Sequence, residues 1–373
     1  MAFVPPRYKP QSFFKQSEVE ISTHHQDENT SFVEVGSKDP NGSFRAIALA
    51  LFDYALTHNR VLGSWLGILL QAHFQNFTEQ RPTIPGLTTH RDRLIQLQKQ
   101  VHMGVLLESV ADTLRQLAVS EMCTAGNPGH YREAFLLHDE GIEPNILRKP
   151  STWLNTEGIA AVAKAMNISI ELRVIERLKQ IPRADIYNEG AEGPLVVLQV
   201  QDNTYRPRVS SDQFRSFKMP LQRSSEKKGK LTFEDPSLDN ILAQIKSHED
   251  RLLALFDNVY HRLTVMLDAK EISSANCSQI YLTCLKHPSE RSMPSQYVGT
   301  LHGTEQYFNT LMSQRKRLTS NHKEVPESIH ALARAVALQQ IDADELFAHI
   351  EQTDQTKSNP CSLIQSSLAN FDI

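Results

Sequence analysis

The chain has 373 residues, enough for two domains or for one domain with a large insertion. Its 22% charged and 40% hydrophobic residues are those of an ordinary soluble protein, and its net charge of −4 argues against a general nucleic-acid binder. No apolar run approaches the roughly 20 residues of a membrane span and no signal peptide opens the chain, so we expect a cytoplasmic protein.

The first motif follows a polar N-terminal segment, residues 1–29. The stretch from Asp39 to Ala46 reads Asp-Pro-Asn-Gly-Ser-Phe-Arg-Ala, and an almost wholly apolar pattern continues from it to Leu56. Such a pattern predicts a helix buried in a globular core. The loop therefore lies at the amino end of a buried helix, where free backbone N–H groups and the helix dipole favour negative charge.

The region at about 60–150 is predicted to be a helical insertion. Apolar residues from Trp65 to Leu70 indicate one helix before the break at Pro82. Leucine and valine then recur at helical spacing, which predicts one long amphipathic helix from about Arg91 to Met122.

A tryptophan, a helix and two strands come next. Trp153 precedes an alanine-rich helical pattern for which Thr156 is a plausible N-cap residue. The stretch 168–174 alternates apolar and polar residues and predicts a half-buried strand, and a second strand is predicted from Leu195 to Val200. The polar sequence Asp-Asn-Thr-Tyr-Arg follows at 202–206.

This ordered set of loop, helix, tryptophan segment and paired strands resembles the ovarian-tumour (OTU) type deubiquitinases over residues 30–212. In that family the loop reads Asp-Gly-Asn-Cys, then two residues, then Arg-Ala, and the core ends with a strand, a short turn and a His-Tyr pair. The histidine is the general base, and an Asp or Asn two residues later orients it. The resemblance implies an α+β, papain-like core with a small sheet flanked by helices.

The residues that carry the family's chemistry are different here. Gly42 stands at the position of the nucleophilic cysteine, Thr204 at that of the base and Arg206 at that of the orienting residue. Glycine cannot attack a carbonyl, and neither threonine nor arginine accepts a proton near neutral pH. We therefore predict degenerate catalytic positions at Asp39, Gly42, Ser43, Thr204 and Arg206, and binding residues at Asn41, Trp153, Asn203 and Tyr205.

Cysteine and histidine spacing favours neither a metal site nor a cofactor. Cys123, Cys277, Cys284 and Cys361 form no CxxC pair, and the histidines form no HExxH motif. His130 is followed by a tyrosine, but it precedes the tryptophan segment and is expected to be a loop residue. No metal and no cofactor is expected.

The C-terminal third is predicted to be a separate all-α domain. A polar linker at 213–236 leads to apolar residues that recur every seven positions from Leu238 to Met266, which predicts a helix of about thirty residues. Further helices are expected from Tyr307 to Leu318 and from Pro326 to Gln340, within a domain at 237–352. The apolar stripe predicts either an intramolecular bundle or self-association as a coiled-coil dimer. Residues 353–373 are expected to be a disordered tail.

Three functional hypotheses follow from the resemblance. The first is a pseudoenzyme that binds ubiquitin, a ubiquitin-like protein or another host protein without cleaving it. The large helical insertion resembles that of the OTU-like effectors of Legionella, which implies a bacterial effector secreted into a host cell. The second is an active deubiquitinase, an isopeptide hydrolase with an unrecognised nucleophile such as Ser43. The third is a helical adaptor or scaffold built on an OTU-like platform.

Overall fold

The structure, a computed structural model, has a five-stranded sheet flanked by helices in its first part and helices alone after it. The expected α+β class is confirmed. No described helix is long and apolar enough to cross a membrane. The structure describes residues 30–36, 39–58, 63–83, 89–136, 141–154, 156–175, 183–218, 231–284, 312, 327–338 and 340–358.

The sheet has the strand order β1-β5-β4-β2-β3. Strands β2 and β4 are parallel, and every other neighbouring pair is antiparallel. The two predicted strands are confirmed as β2 and β4, whereas β1, β3 and β5 were not predicted. The strands are β1 (Ser31–Phe32), β2 (Ser169–Val174), β3 (Arg183–Tyr187), β4 (Leu195–Gln201) and β5 (Thr204–Val209).

The helices of the first part pack on this sheet and on one another. α1 contacts β4 and β5, α7 contacts β2 and β3, and α4 contacts both α1 and α7. α2 and α7 confirm the helices predicted around Trp65 and after Trp153. The helices are α1 (Gly42–Thr57), α2 (Ser64–Asn76), α3 (His90–Gln100), α4 (Met103–Cys123), α5 (Arg132–Phe135), α6 (Pro144–Leu147), α7 (Thr156–Ala165) and α8 (Asp212–Arg215).

α1 is enclosed by protein along most of its length, since every residue from Gly42 to Asp53 is buried. Near its start, Arg45 Nε donates a hydrogen bond to the backbone oxygen of Val35 at 3.0 Å. Towards its end, Asp53 accepts hydrogen bonds from the two backbone N–H groups that follow β5, both at 2.8 Å. Because buried charged groups need such partners, these contacts fix the position of α1 against the sheet.

The single helix predicted from about Arg91 to Met122 is wrong, because the chain forms α3 and α4 there. Val101 between them is extended, and the His102 side chain caps α4 by accepting a hydrogen bond from the N–H of Gly104 at 3.3 Å. One straight helix over this stretch would be about 48 Å long. The break lets α3 pack on α1 and α2 while α4 packs on α1 and α7.

The C-terminal part confirms the long predicted helix as α9 (Leu238–Asp268), which has 31 residues. Its first turns place Ile241 and Ile245 in the core of the first part. Its later turns form a second apolar core with three further helices, α10 (Ser274–Cys284), α11 (Glu327–Ala337) and α12 (Ala343–Ser358). The apolar stripe of α9 is thus covered within the chain.

Two predicted segments of the C-terminal part fall partly outside the described residues. α11 begins directly after Pro326, in agreement with the helix predicted there. The segment from Tyr307 to Leu318 lies outside the described residues apart from Met312. α12 continues to Ser358, past residue 353 where a disordered tail was expected to begin.

The end of the predicted linker 213–236 lies against the first part of the chain. Asp235 accepts hydrogen bonds from Arg148 Nε and Nη2 at 2.8 and 2.6 Å. The same guanidinium lies over the ring of Phe233, 3.5 Å from its centroid. Residues 231–236 therefore form an ordered connection to α9, whereas residues 219–230 of the predicted linker lie outside the described residues.

We predict that Gly129→Ala will weaken the packing of α9. A methyl group at Gly129 would lie 2.5 Å from Cβ of His248 on α9, so one backbone must move. Urea unfolding should show a loss of about 1–3 kcal/mol. Gly63→Ala is the control, because its closest contact is an ordinary 3.4 Å, and equal stability of the two variants would contradict this packing.

Candidate functional site

The loop before α1 is held in a tight conformation by its own aspartate. Asp39 Oδ1 accepts the backbone N–H of Asn41 at 2.9 Å, and its backbone oxygen accepts that of Gly42 at 3.1 Å. Its other carboxylate oxygen pairs with Arg45 Nη2, while Arg45 Nη1 pairs with Glu108 at 2.8 Å. The carboxylate charge of Asp39 is therefore balanced within the protein.

Arg115 on α4 binds this loop from the interior of the protein. Its guanidinium is fully buried and donates to the backbone oxygen of Pro40 at 2.8 Å and to Oδ1 of Asn41 at 3.1 Å. Two further N–H groups reach the backbone oxygens of Leu147 and Thr152, both at 2.9 Å. One side chain thus links the loop before α1 to the segment that carries Trp153.

A cavity of about 300 Å³ lies where these two segments meet the turn between β4 and β5. Five of the nine predicted site residues line it. The half-exposed indole of Trp153 is 42% accessible, whereas Ser43 is only 3% accessible. The lining residues are Asp39, Pro40, Ser43, Trp153, Leu154, Asn203 and Tyr205.

The other four predicted residues do not line the cavity. The side chain of Asn41 is turned to Arg115, and Gly42 is the first residue of α1. Thr204 and Arg206 are absent from the lining, which includes Asn203 and Tyr205 instead. Asn203 meets the cavity from the turn before β5, and Tyr205 meets it from the strand itself.

The turn that presents Asn203 has a defined geometry. Asp202 and Asn203 connect β4 to β5 and have φ angles of 49° and 61°. A two-residue turn with both φ angles positive is the preferred connection of a β-hairpin, and Asn and Asp tolerate it well. This turn places Asn203 in the lining of the cavity, whereas Thr204 is not part of the lining.

The lining carries a hydroxyl without a base beside it. Ser43 lines the cavity, and its hydroxyl oxygen is not among the buried atoms that lack a partner in the described part of the chain. No lining residue is a cysteine or a histidine, and Asp39 is engaged by Arg45. A serine needs an adjacent base to become a nucleophile.

The described cysteines and His130 lie elsewhere. Burial raises the pKa of the Cys123 thiol to about 12, and Cys277 and Cys284 are buried in the C-terminal core. The ring of His130 lies 4.9 Å from that of His248 on α9. Burial, followed by nearby cationic groups, lowers the pKa of both imidazoles to about 4. His130 is therefore uncharged near neutral pH, and it lies in the turn before α5, in agreement with the loop position expected for it.

Glu157 of the tryptophan segment supports the fold. Its buried carboxyl accepts the backbone N–H of Glu133 at 3.1 Å. Burial raises the pKa of Glu157 to about 8, so the group is mostly protonated at neutral pH. Among the described residues no group of three or more His, Cys, Asp or Glu side chains could hold a metal ion.

Arg115 is the main site residue that the sequence did not predict. It stands within an apolar helical pattern, between Leu114 and Ala118, which are both fully buried. An arginine in such a stripe must find acceptors inside the protein, because an unpaired buried charge is costly. An arginine in such a stripe therefore indicates a buried cation, but the sequence does not show which oxygens accept its hydrogen bonds.

Comparisons with known proteins give structural matches only. No protein-family model matches the chain, and no curated protein matches it significantly. Solved structures include the h/ceOTUB1–ubiquitin aldehyde–UBC13~Ub complex, with 14% identity, a TM-score of 0.32, and coverage of 47% of this chain and 75% of that chain. The corresponding UBCH5B~Ub complex has 13% identity, a TM-score of 0.34, and coverage of 47% and 74%. A ceOTUB1–ubiquitin aldehyde–UBC13~Ub complex has 13% identity, a TM-score of 0.32, and coverage of 47% and 78%.

We predict that Arg115→Met will disorganise the cavity. The change leaves four buried oxygens without their donor, so the free energy of unfolding should fall by about 3 kcal/mol or more. Acrylamide quenching of tryptophan fluorescence should rise, because Trp153 loses its support.

Arg91→Met is the matched control for this prediction. Arg91 also donates to backbone oxygens, those of Ala55 and Leu56, but it lies at the far end of α1. Its loss should leave the environment of Trp153 unchanged. If both variants alter the quenching equally, Arg115 does not organise the cavity.

Proposed function

We propose that this protein is an OTU-like pseudo-deubiquitinase, which binds the C-terminal tail of ubiquitin or of a ubiquitin-like protein in its cavity and does not cleave it. One observation carries the proposal. The loop before α1, the tryptophan segment and the β4–β5 turn converge on one cavity, and their cavity-facing residues include Ser43 and Asn203 but neither cysteine nor histidine.

The shape of the cavity supports a narrow ligand. Its volume of about 300 Å³ is at the lower end of small-ligand pockets, too small for a folded domain but suited to a few residues of an extended chain. Trp153, Leu154 and Tyr205 offer apolar walls, and Asn203 offers an amide that can pair with a peptide group.

The residues at the catalytic positions support binding without cleavage. Gly42 has no side chain to attack a carbonyl. Asn203 faces the cavity from the turn, and an amide does not accept a proton near neutral pH. The N–H of Gly42 is also engaged by Asp39, so it is not available to an oxyanion at that position.

A second candidate function is hydrolysis through Ser43. The observation that favours it is the place of Ser43 in the lining of the cavity, at the start of α1. The absence of an imidazole among the lining residues argues against it. Cleavage of ubiquitin chains that is lost in Ser43→Ala would establish this second function.

The proposal extends to a bacterial effector that acts on ubiquitin or another host protein. It is supported by the size of the helical insertion, α2 to α6, between the loop helix and the tryptophan segment. Export of the full chain by a bacterial secretion system, followed by capture of ubiquitin in the host cytoplasm, tests this part. In a purely scaffolding protein the cavity would bind no ubiquitin.

We predict binding without turnover. Titration of ¹⁵N-labelled ubiquitin with the full chain should shift resonances of the C-terminal tail, while ubiquitin chains stay intact and a thiol-reactive ubiquitin probe forms no adduct. Trp153→Ala removes an exposed aromatic wall and should weaken binding about tenfold or more.

The control for binding is Val265→Ala. Val265 is 53% accessible and lies near the end of α9, so this variant also removes an exposed apolar side chain. It should bind as the wild type does. Release of monoubiquitin by the wild-type protein would refute the pseudoenzyme proposal, and the absence of any shift would refute ubiquitin binding.

We predict that a cysteine alone will not create activity. Gly42→Cys lacks a base and should react with the ubiquitin probe slowly. Adding Asn203→His should speed the reaction by about tenfold or more, because that position faces the cavity. Gly42→Cys with Thr204→His is the matched control and should stay slow. A faster reaction in the Thr204 variant would show that the base position is 204.

A further inference from the structure

Helix α9 contacts the first part of the chain at the turn that precedes α5. Gly129 in this turn lies so close to α9 that a methyl group on it would come within 2.5 Å of Cβ of His248. The ring of His130 lies 4.9 Å from the ring of His248. Arg132, the first residue of α5, donates from Nε to Glu249 on α9 at 2.6 Å. These five residues form a contact that we name the histidine junction.

The histidine junction lies where α9 passes from one apolar core to the other. Ile241 and Ile245, two turns and one turn before His248, belong to the core of the first part. Leu252, one turn after it, is buried but belongs to neither core, and Phe256 is the first α9 residue in the second core. A polar contact thus lies between the two cores, so α9 can separate from the turn while the second core stays intact.

Cationic groups surround both imidazoles. On α9, Arg251 Nη2 lies 3.4 Å from Nδ1 of His248. A guanidinium only donates hydrogen bonds, so this nitrogen must accept, as it does in a neutral ring. Burial, followed by Lys164 on α7 and by Arg251, lowers the pKa of His130 to about 4. Burial, followed by His130 and Arg251, lowers the pKa of His248 to about 4 as well.

The carboxyl groups on the surrounding elements are paired with other cations or are mostly neutral. Glu249 and Glu133 pair with Arg132 at 2.6 and 3.4 Å, and Glu121 on α4 pairs with Lys164 at 3.3 Å. Burial raises the pKa of Glu157 on α7 to about 8, which favours its neutral form at neutral pH. These carboxyl groups are Glu121, Glu133, Glu157 and Glu249.

We propose that the histidine junction is an acid-sensitive switch, which holds α9 against the first part of the chain while both imidazoles are neutral and releases it when they are protonated. Two imidazolium rings 4.9 Å apart, beside Arg251 and Lys164, repel one another. A proton on Nδ1 of His248 would also point at the N–H group of Arg251. The switch is independent of what the cavity binds.

The direction of the pH dependence follows from proton binding. In the closed junction both imidazoles have a pKa of about 4, and in the open one they return to an ordinary pKa of about 6.5. The open form therefore binds more protons between these two values, so closure is most stable above about pH 6.5 and is lost as the pH falls towards 4. Each histidine should favour opening about tenfold more at pH 5 than at pH 7.

Hydrogen exchange of the full chain, measured by mass spectrometry, tests the switch. Protection factors, which correct for the intrinsic effect of pH on exchange, should fall about tenfold or more from pH 7 to pH 5 for the backbone N–H groups at 241–252. A helix released from its core is only marginally stable in water. The protection of α1 should stay unchanged. Constant protection at 241–252 would overturn the proposal, as would an equal fall in α1, which would indicate global acid unfolding.

Variants assign the effect to the two histidines. His130→Gln combined with His248→Gln should show nearly the same protection at pH 7 and pH 5, whatever its level at pH 7. His261→Gln is the matched control, because His261 is an exposed histidine on the same helix, and it should keep the wild-type pH dependence. A wild-type dependence in the double variant would contradict the assignment. NMR titration of the wild-type imidazoles is a second measurement, and midpoints near pH 6.5 for both rings would equally exclude the switch.

Discussion

The buried guanidinium of Arg115 joins parts of the chain that are far apart in sequence. Its acceptors, Pro40 and Asn41 on one side and Leu147 and Thr152 on the other, are 32 to 75 residues away from it. A buried guanidinium is tolerated only when its N–H groups are hydrogen-bonded. All four acceptor oxygens must therefore be in place together. This one side chain therefore connects the loop before α1 to the segment that carries Trp153, and α4 holds it in place.

The cavity is thereby organised before any ligand arrives. Asp39 closes the loop on itself, Arg45 and Asp53 fix α1 against the ends of β1 and β5, and the turn at Asn203 completes the third wall. A site whose groups are already ordered loses less entropy on binding.

Much of the fold follows from local patterns. The almost wholly apolar pattern after the loop predicts α1, the alternation at 168–174 predicts β2, and the heptad spacing predicts α9. Each pattern reflects which faces of the element are buried. The break between α3 and α4 was missed, since Val101 continues the apolar periodicity and only contacts with α1, α2 and α7 separate the two helices. Local patterns also do not show that Asn203 lines the cavity and Thr204 does not, because neighbouring residues of a strand and its turn present their side chains in different directions.

The sequence by itself determined several elements, namely α1, α2, α7, β2, β4 and α9, and it also showed that position 42 has no cysteine and residues 202–206 no histidine. These are properties of residue type and spacing, and they need no tertiary contact. Tertiary structure alone decided which residues meet in the cavity, because Ser43, Trp153 and Asn203 are brought together by packing across the whole first part of the chain. It also decided that the charge of Arg115 lies behind the loop, since the acceptors of a buried cation are set by the fold and not by its neighbours in sequence.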